Sequence, residues 1–471
     1  MTEDTVSKKL SLILPTPVGE QKDVIYTTSG RHTICLGAAG TGKTVMALWR
    51  AAFLSNPENP SHGKTLLVTL LNPLVFYLKT LCAEPVFEGR VEYRTFHKFA
   101  FGYLKSKGLP RDCIDGREQE LLIKNIIEEV AAAKGLGVTP EFLVEELNWM
   151  SGCGIETESE YLTVKRAGRL IPLPPTSRRI IWQIRDLYRK RRSRPFDYSD
   201  IALEVLKTLQ ADSGPRMYKH IVIDEGQDFS PSMIKALVNA IPPDGSLTFF
   251  GDMAQQIFGK RMSWRQVGLN ATPYYFKQNH RNTPQVVKFA MELTRMPYFT
   301  DETEDIIPPV IVRADGPLPV VLKVDSVEEE VSYVLNQARQ SARSETVAIL
   351  LRRRRDENFF KWPRDAIRLH RSMNTFSSKN GLYYGTYHAA KGMEFDTVML
   401  PFFSKEEMPC PLETAAHGVF AAEANDGKLA YVAITRAKST ILVVHRGQLS
   451  ELIPKSVFKD KIAARYVLKH E

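Results

Sequence analysis

The chain has 471 residues, of which 43% are hydrophobic and 25% charged, with a formal net charge of +9 and a pI near 9.1. This is ordinary globular composition with apolar material for large cores, and the basic excess favours a polyanionic partner, chiefly nucleic acid. Five scattered cysteines, none in a CxxC pair, argue against a disulfide framework or a zinc site.

The N-terminal stretch "MTEDTVSKKLSLILPTPVGE" has too short an apolar run for a signal peptide. The longest apolar stretch, "TLLVTLLNPLVFYL", is broken by Asn72 and Pro73 and falls short of the ~20 residues that a membrane span needs. A cytoplasmic protein with no membrane partner is expected.

In chain order, "HTICLGA", "TLLVTLL", "HIVIDE" and "SLTFFGD" are short apolar runs of the kind buried parallel strands show. Helical patterns such as "GKTVMALWRAAFL" and "PSMIKALVNAI" separate them, which predicts an α/β layered fold. The segment from about 101 to 195 is different: "REQELLIKNIIEEVAAAKG", "PEFLVEELNWM" and "RRIIWQIRDLYRKRRSR" are amphipathic helices without strands between them. It reads as a helical insertion in a first lobe spanning 1–270. A second α/β series occupies 271–471, with strands expected at "PVVLKV", "TVAILLRR", "LYYGTYH", "FDTVMLPF" and "TILVVHR".

"GAAGTGKT" comprises Gly37, Ala38, Ala39, Gly40, Thr41, Gly42, Lys43 and Thr44, and matches the P-loop pattern GxxxxGK[ST] between a strand and a helix. Its backbone N–H groups and helix N-terminus suit phosphate oxygens. Lys43 is expected to reach the β/γ-phosphates of ATP and Thr44 to ligate Mg²⁺. In "HIVIDEGQDFS", Asp224 ends a buried strand, where ligands of open α/β sheets bind. Asp224 is expected at the Mg²⁺ and Glu225 as the base that polarises the attacking water.

"DEGQDFS" followed by "FFGDMAQQIF" resembles motifs II and III of superfamily 1 helicases of the UvrD/Rep type. "EQKDVI", "RTFHKF", "QNHRNTP", "GTYHAAKGMEFD" and "AYVAITRAK" resemble that family's Q motif and motifs Ib, IV, V and VI, in the family's order. The resemblance implies two RecA-like P-loop NTPase lobes with one ATP between them and a 1B-like helical insertion in the first. It implies Arg281 and Arg436 as arginines that reach the γ-phosphate from the second lobe. Gln255 would sense that phosphate. Gln21 and His280 would lie at the adenine, and Gly392 and Glu394 by the nucleotide, with Glu394 at the ribose. Thr95, His97, Phe258, Trp264, Thr386 and His388 would face the nucleic acid.

The chain departs from the family at several places. His280 replaces the motif IV Tyr and Val45 the Arg that follows the P-loop. Lys260 replaces a stacking Trp, with Trp264 nearby as a substitute, and Leu70 stands at the motif Ia aromatic. Base stacking contributes about 1–3 kcal/mol per base, so phosphate contacts are expected to carry more of the binding. "RKRRSR" (189–194) and "LRRRR" (351–355) are candidate phosphate-tracking runs or exposed charged faces. The short separation of Arg281 from Gly385 leaves no room for the large 2B subdomain, as in compact phage and defence-system members.

Two readings follow. One is a 3′–5′ translocase and helicase on a single strand, expected to be DNA, with RNA as the alternative. The other is a nucleic-acid-stimulated ATPase subunit, of phage or defence type, that works with a partner such as a nuclease or a replication protein and unwinds little alone.

Overall fold

The computed structural model describes residues 14–27, 32–70, 90–110, 112–130, 135–166, 169, 171–252, 264–297, 310–370 and 379–468. Strands β1 (Thr33–Gly37), β2 (Thr65–Thr69) and β3 (Val91–Thr95) open the chain, followed by the short β4 (Cys113–Ile114) and β5 (Phe196–Asp197). After them come β6 (His220–Ile223), β7 (Ser246–Gly251) and β8 (Tyr274–Phe276). Six of these form one sheet in the order β3-β2-β6-β7-β1-β8, with every pairing parallel. Parallel strands must be covered on both faces, and β1, β2, β6 and β7 are buried at every position. The helix Lys43–Ser55 packs on one face through Met46, Ala47, Leu48 and Leu54. The helices Phe96–Ser106, Ile201–Ala211 and Pro231–Asn239 cover the other. The first sheet takes in β8, beyond residue 270, so the chain leaves the first lobe only after passing beside β1.

Helices Gly116–Glu129, Pro140–Cys153, Glu158–Thr163 and Pro175–Arg191 close around a core of their own, which includes Ile123, Phe142, Trp149, Ile181 and Tyr188. The parallel pair β4–β5 ties the two ends of this insertion together. Thr139 and Thr157 cap two of its helices, the second through a capping box with Glu160.

The second sheet is built from β11 (Val320–Val324), β12 (Thr346–Leu351), β13 (Ile367–Arg368), β14 (Gly381–Thr386), β15 (Phe395–Leu400), β16 (Ala437–Arg446) and β17 (Ala464–Val467). Its order is β13-β14-β12-β15-β16-β11-β17, again all parallel. Between the two sheets run β9 (Gln278–Asn279) and β10 (Val310–Ile311), a short parallel pair of their own. Residues 369–380 are all that separates β13 from β14. The fold is α/β with two parallel-sheet lobes, as the strand and helix patterns predict.

The insertion holds a buried charge cluster. Glu146 is fully buried and accepts from the Tyr161 hydroxyl at 2.8 Å, from Arg166 Nη2 at 2.6 Å and from Arg169 Nε at 2.8 Å. Burial works to raise its carboxyl pKa, and the two guanidinium groups outweigh this and hold it below the ordinary value. Glu146→Ala would strand Arg166 without a counter-charge in a dry interior. The expected loss is about 3–5 kcal/mol. It would be read as a lower urea midpoint in the emission of Trp149 and Trp182, which both pack in this core; an unchanged midpoint would contradict it.

Candidate nucleotide site between the lobes

The loop between β1 and the helix Lys43–Ser55 turns on Gly40 and Gly42, with φ of +77° and +81°. Gly40 is constrained twice: a Cβ there would stand 2.4 Å from Asn279 Oδ1. Thr41 Oγ1 donates to Ala38 O at 3.0 Å, and Lys43 Nζ donates to Gly37 O and Ala38 O at 2.9 and 2.7 Å. Lys43 also lies 3.6 Å from Asp252 Oδ2, at the end of β7. Gln21 Nε2 donates to Thr41 O at 3.4 Å, so the expected base-side residue is tied to the loop itself.

At the end of β6, Asp224 is buried and hydrogen-bonded to Thr44, while its Oδ2 has no hydrogen-bond partner. Burial, reinforced by Glu225 next to it, pushes the Asp224 carboxyl up to about 7. An orphaned buried carboxylate oxygen beside a threonine hydroxyl is a donor set that suits a divalent cation. Glu225 has a left-handed backbone, φ +53°, a conformation a non-glycine residue keeps only where its surroundings enforce it. Its Oε2 accepts from Gln227 Nε2 at 2.5 Å. Burial works to raise the Glu225 pKa, but Lys391, Lys43 and Arg436 outweigh it and keep the carboxylate ionised. Gln227 Oε1 in turn accepts from Asp252 N at 2.9 Å, which fixes the ends of β6 and β7 to each other.

The second lobe reaches this centre in three places. Asn279 Nδ2 donates to Ala39 O at 2.8 Å, and His280 N donates to Gly40 O at 3.0 Å. Lys391 and Asp228 form a buried ion pair at 2.5 Å. Arg436 is 1% exposed, so it is not a solvated helix end. Its Nε donates to Val432 O at 3.1 Å and its Nη1 to Met393 O at 3.3 Å. Burial, with Arg281 adding repulsion, lowers its pKa to about 10, which leaves it cationic at neutral pH. Glu225, Asp252 and Glu394 are the acidic groups that offset this. Arg281 pairs with Glu394 at 2.7 Å and holds that carboxyl below its usual value. Gly392, φ +79°, stands between Lys391 and Met393 and turns the chain there. The His280 side chain is exposed.

Sequence reasoning missed Asn279, Gln227, Asp228, Asp252 and Lys391. Each lies inside a quoted motif, but its partner is distant in sequence or not implied by the pattern.

The expected nucleic-acid residues divide between the lobes. Thr95 caps the helix Phe96–Ser106 by accepting from Lys98 N at 3.3 Å. His97 lies edge-on to Tyr198 at 5.4 Å, and burial lowers its pKa. Trp264 packs edge-on against Phe249 at 4.8 Å, at the margin of the first lobe's core. Thr386 Oγ1 accepts from Ala389 N at 3.3 Å, and half-buried His388 follows on the same turn. Gln255 and Phe258 lie outside the described residues.

The basic runs are mostly engaged in ion pairs. Arg189 and Arg192 pair with Asp200, Arg191 with Glu129, and Arg194 approaches Asp112 at 3.8 Å. Arg352 pairs with Asp426 and Glu413, and Arg353 with Asp356 and Glu407.

A P-loop and an acidic pair on one parallel sheet, with arginines supplied by a second parallel-sheet lobe, define a P-loop NTPase of the two-lobed kind. The chain belongs to the UvrD/Rep helicase family: the UvrD/REP helicase N-terminal domain matches residues 18–273, and the UvrD-like helicase C-terminal domain matches 367–446. It is similar to DNA helicase II of Haemophilus influenzae, 23% identical over 58% of this chain and 40% of that protein. It is similar also to DNA helicase IV of Escherichia coli, 25% identical over 51% of this chain and 40% of that protein. A third relative is the ATP-dependent DNA helicase srs2 of Schizosaccharomyces pombe, 21% identical over 59% of this chain and 34% of that protein. The chain thus spans two-fifths or less of the length of these relatives.

The seam between the lobes depends on Asn279. Asn279→Ala would leave the N–H groups of Arg281 and Asn282 and the Ala39 carbonyl without their partner, at about 1–3 kcal/mol for a buried group. The expected result is faster proteolytic cleavage between the lobes and a fall in ATP hydrolysis, with each lobe's own secondary structure kept. Wild-type cleavage and hydrolysis rates would contradict this.

Proposed function

We propose that the chain hydrolyses ATP in the cleft between its lobes and couples that reaction to movement along single-stranded DNA, 3′ to 5′, with unwinding of duplex ahead. The observation that carries this reading is the convergence of Lys43, Asp224 and Glu225 from one lobe with Arg281, Lys391 and Arg436 from the other. Family membership supports the choice of DNA and of strand movement over small-molecule phosphoryl transfer, and the polarity is drawn from the family alone.

In this reading the P-loop N–H groups cradle the phosphates and Lys43 turns from the loop carbonyls to the β/γ-phosphates. Thr44 and Asp224 would hold Mg²⁺, and the ion would supply positive charge to offset that of the phosphates. Glu225, kept ionised by its cationic neighbours and aimed by Gln227, accepts the proton of the attacking water. Arg281 and Arg436 stabilise the charge that spreads over the transferred phosphoryl oxygens. Because these arginines belong to the other lobe, hydrolysis is tied to lobe closure, and the strand-facing residues Thr95, His97, Thr386 and His388 change their spacing with it. Gln255 is assigned the sensing role between the γ-phosphate and the strand, and Phe258 and Trp264 a place beside the bases. Gln21, His280, Gly392 and Glu394 are assigned to the nucleoside side.

A second reading has one observation in its favour. Only residues 369–380 connect β13 to β14, so the second lobe carries no large subdomain at that point. Such a chain would act as a DNA-stimulated ATPase within a complex, with a nuclease or a replication or defence protein as its partner.

The test is ATP hydrolysis with and without single-stranded DNA, followed by strand displacement. Wild type is expected to be stimulated by DNA in a salt-sensitive way. Arg436→Ala is expected to lose about 10³–10⁵-fold in rate, the size of arginine-finger effects, while still binding ATP. Hydrolysis indifferent to nucleic acid, or an unimpaired Arg436→Ala, would contradict the motor; hydrolysis without displacement would favour the second reading.

A further inference from the structure

Three basic side chains converge on one carboxylate at the nucleotide site. Arg281 Nε lies 2.7 Å from Glu394 Oε2, and Lys438 Nζ lies 3.7 Å from Glu394 Oε1. Arg281 above all, then Lys438 and buried Arg436, hold the Glu394 carboxyl below its usual value against the effect of burial. Lys438 is shared: its Nζ also stands 3.6 Å from Asp396 Oδ1. The other Asp396 oxygen accepts from the Thr346 N–H at 3.0 Å and from the Thr346 hydroxyl at 2.7 Å. Asp396 is therefore a fixed anchor, and Lys438 sits between it and Glu394, committed to neither at full hydrogen-bonding distance.

Arg281 is held differently from Arg436. The Arg436 guanidinium is clamped by the carbonyls of Val432 and Met393. Arg281 is fixed at its backbone, where its N–H donates to Asn279 Oδ1 at 2.9 Å and its carbonyl accepts from Arg313. Its root lies against the phosphate loop: a Cβ on Gly40 would stand 2.8 Å from the Arg281 Cβ. Its head is engaged by Glu394, whose side chain is 39% exposed. A carboxylate and a phosphate compete for the same guanidinium fork, so an arginine held by one is not free for the other. The arginine that the proposed reaction needs is thus occupied while the cleft is empty, and a second cation already waits beside the group that occupies it.

We propose that Glu394 is a nucleoside-gated latch on Arg281, and that Lys438 is the positioning residue that lets the latch release. The inference rests on the reading that places ATP in this cleft with its ribose at Glu394, and it deepens that reading. In the empty cleft Glu394 holds Arg281. When a nucleotide enters, the ribose hydroxyls donate to Glu394 and the γ-phosphate offers Arg281 a more highly charged acceptor. Lys438 then closes from 3.7 Å onto Glu394, so the carboxylate keeps a counter-charge as the arginine leaves. The nucleoside does more than anchor the substrate: part of its binding energy goes into freeing the arginine, which raises turnover and not affinity alone. Two cations within 4 Å of one carboxylate are more than a static brace needs, and an exchange of partners needs both.

The test compares turnover of ATP with that of inorganic tripolyphosphate, which carries the phosphates without the nucleoside, in Mg²⁺ and saturating oligo-dT. Wild type is expected to have a lower kcat for tripolyphosphate than for ATP, and not only a higher KM. Glu394→Gln keeps the size of the side chain and removes its charge. Its kcat for tripolyphosphate is expected to rise about fivefold, the effect of releasing one partly exposed ion pair, while its KM for ATP rises. Adding Arg281→Ala to Glu394→Gln is expected to cancel that gain. Lys438→Ala is expected to lower kcat for ATP about fivefold with little change in KM, and Lys438→Arg to restore it. That loss is expected to vanish in the Glu394→Gln background, where no carboxylate is left to neutralise. Equal kcat for the two substrates in wild type, unchanged or reduced tripolyphosphate turnover in Glu394→Gln, a gain that survives Arg281→Ala, or a Lys438→Ala defect that persists beside Glu394→Gln would each overturn the latch and leave ATP hydrolysis in the cleft standing. A wild type that hydrolyses neither substrate would overturn the ATPase reading and the latch with it.

Discussion

Everything at the centre of this molecule hangs on the amide of Asn279. Its two N–H bonds go to Ala39 O in the P-loop and to Asn282 Oδ1, and its oxygen accepts from the N–H groups of Arg281 and Asn282. Asn282 passes the link on to Thr435 O and Ala437 O, on either side of Arg436. One side chain thus uses its full hydrogen-bonding capacity to hold the phosphate loop of one lobe against the arginine-bearing turn of the other. Gly40 is the complementary constraint, because any side chain there would occupy the space of that amide. A nucleotide in the loop and an arginine above it can then be related by a fixed geometry, although they belong to different sheets.

Charge balance follows from the same arrangement. Asp224, Glu225 and Asp252 are buried together at the ends of β6 and β7, and the Asp228 carboxyl is buried beside them. Four carboxyl groups in a low-dielectric space cannot all ionise unless cations meet them. Lys43 comes from the same lobe, and Lys391 and Arg436 from the other. The outcome is a division of states: Asp224 is pushed up to about 7, while Glu225 is held in its ionised form. In the proposed reaction the carboxylate that stays charged is the base, and the one with an orphaned oxygen is the group that would hold the metal ion. Lys43 is at hand in the same lobe, whereas Lys391 and Arg436 enter only through contact between lobes.

Much of this was legible in the sequence where the signal is local. The P-loop, the acidic pair and the turn bearing Arg436 are short patterns next to strands, and the alternation of strand and helix predicts the parallel sheets. What was not legible is what depends on distant partners. "RKRRSR" reads as a nucleic-acid face, but Asp197, Asp200 and Glu129 arrive from other elements and neutralise most of it. "LRRRR" hides the opposite surprise: its first two arginines turn to acids and its last two remain in the open. Trp264 reads in sequence as a substitute stacking residue, and its contact with Phe249 is not visible there. Asn279 gives no sign of its reach, since the contact to Ala39 spans 240 positions.

The central claim is that one hydrolytic centre is assembled from both lobes, with the base on one and the arginine on the other. A double-mutant cycle on the rate of ATP hydrolysis, using Glu225→Gln and Arg436→Ala, tests it most directly. Groups that act as one unit are strongly non-additive, so the double variant is predicted to be scarcely slower than the worse single variant. Losses that simply multiply would mean that Arg436 acts elsewhere, and that the two lobes do not share a transition state.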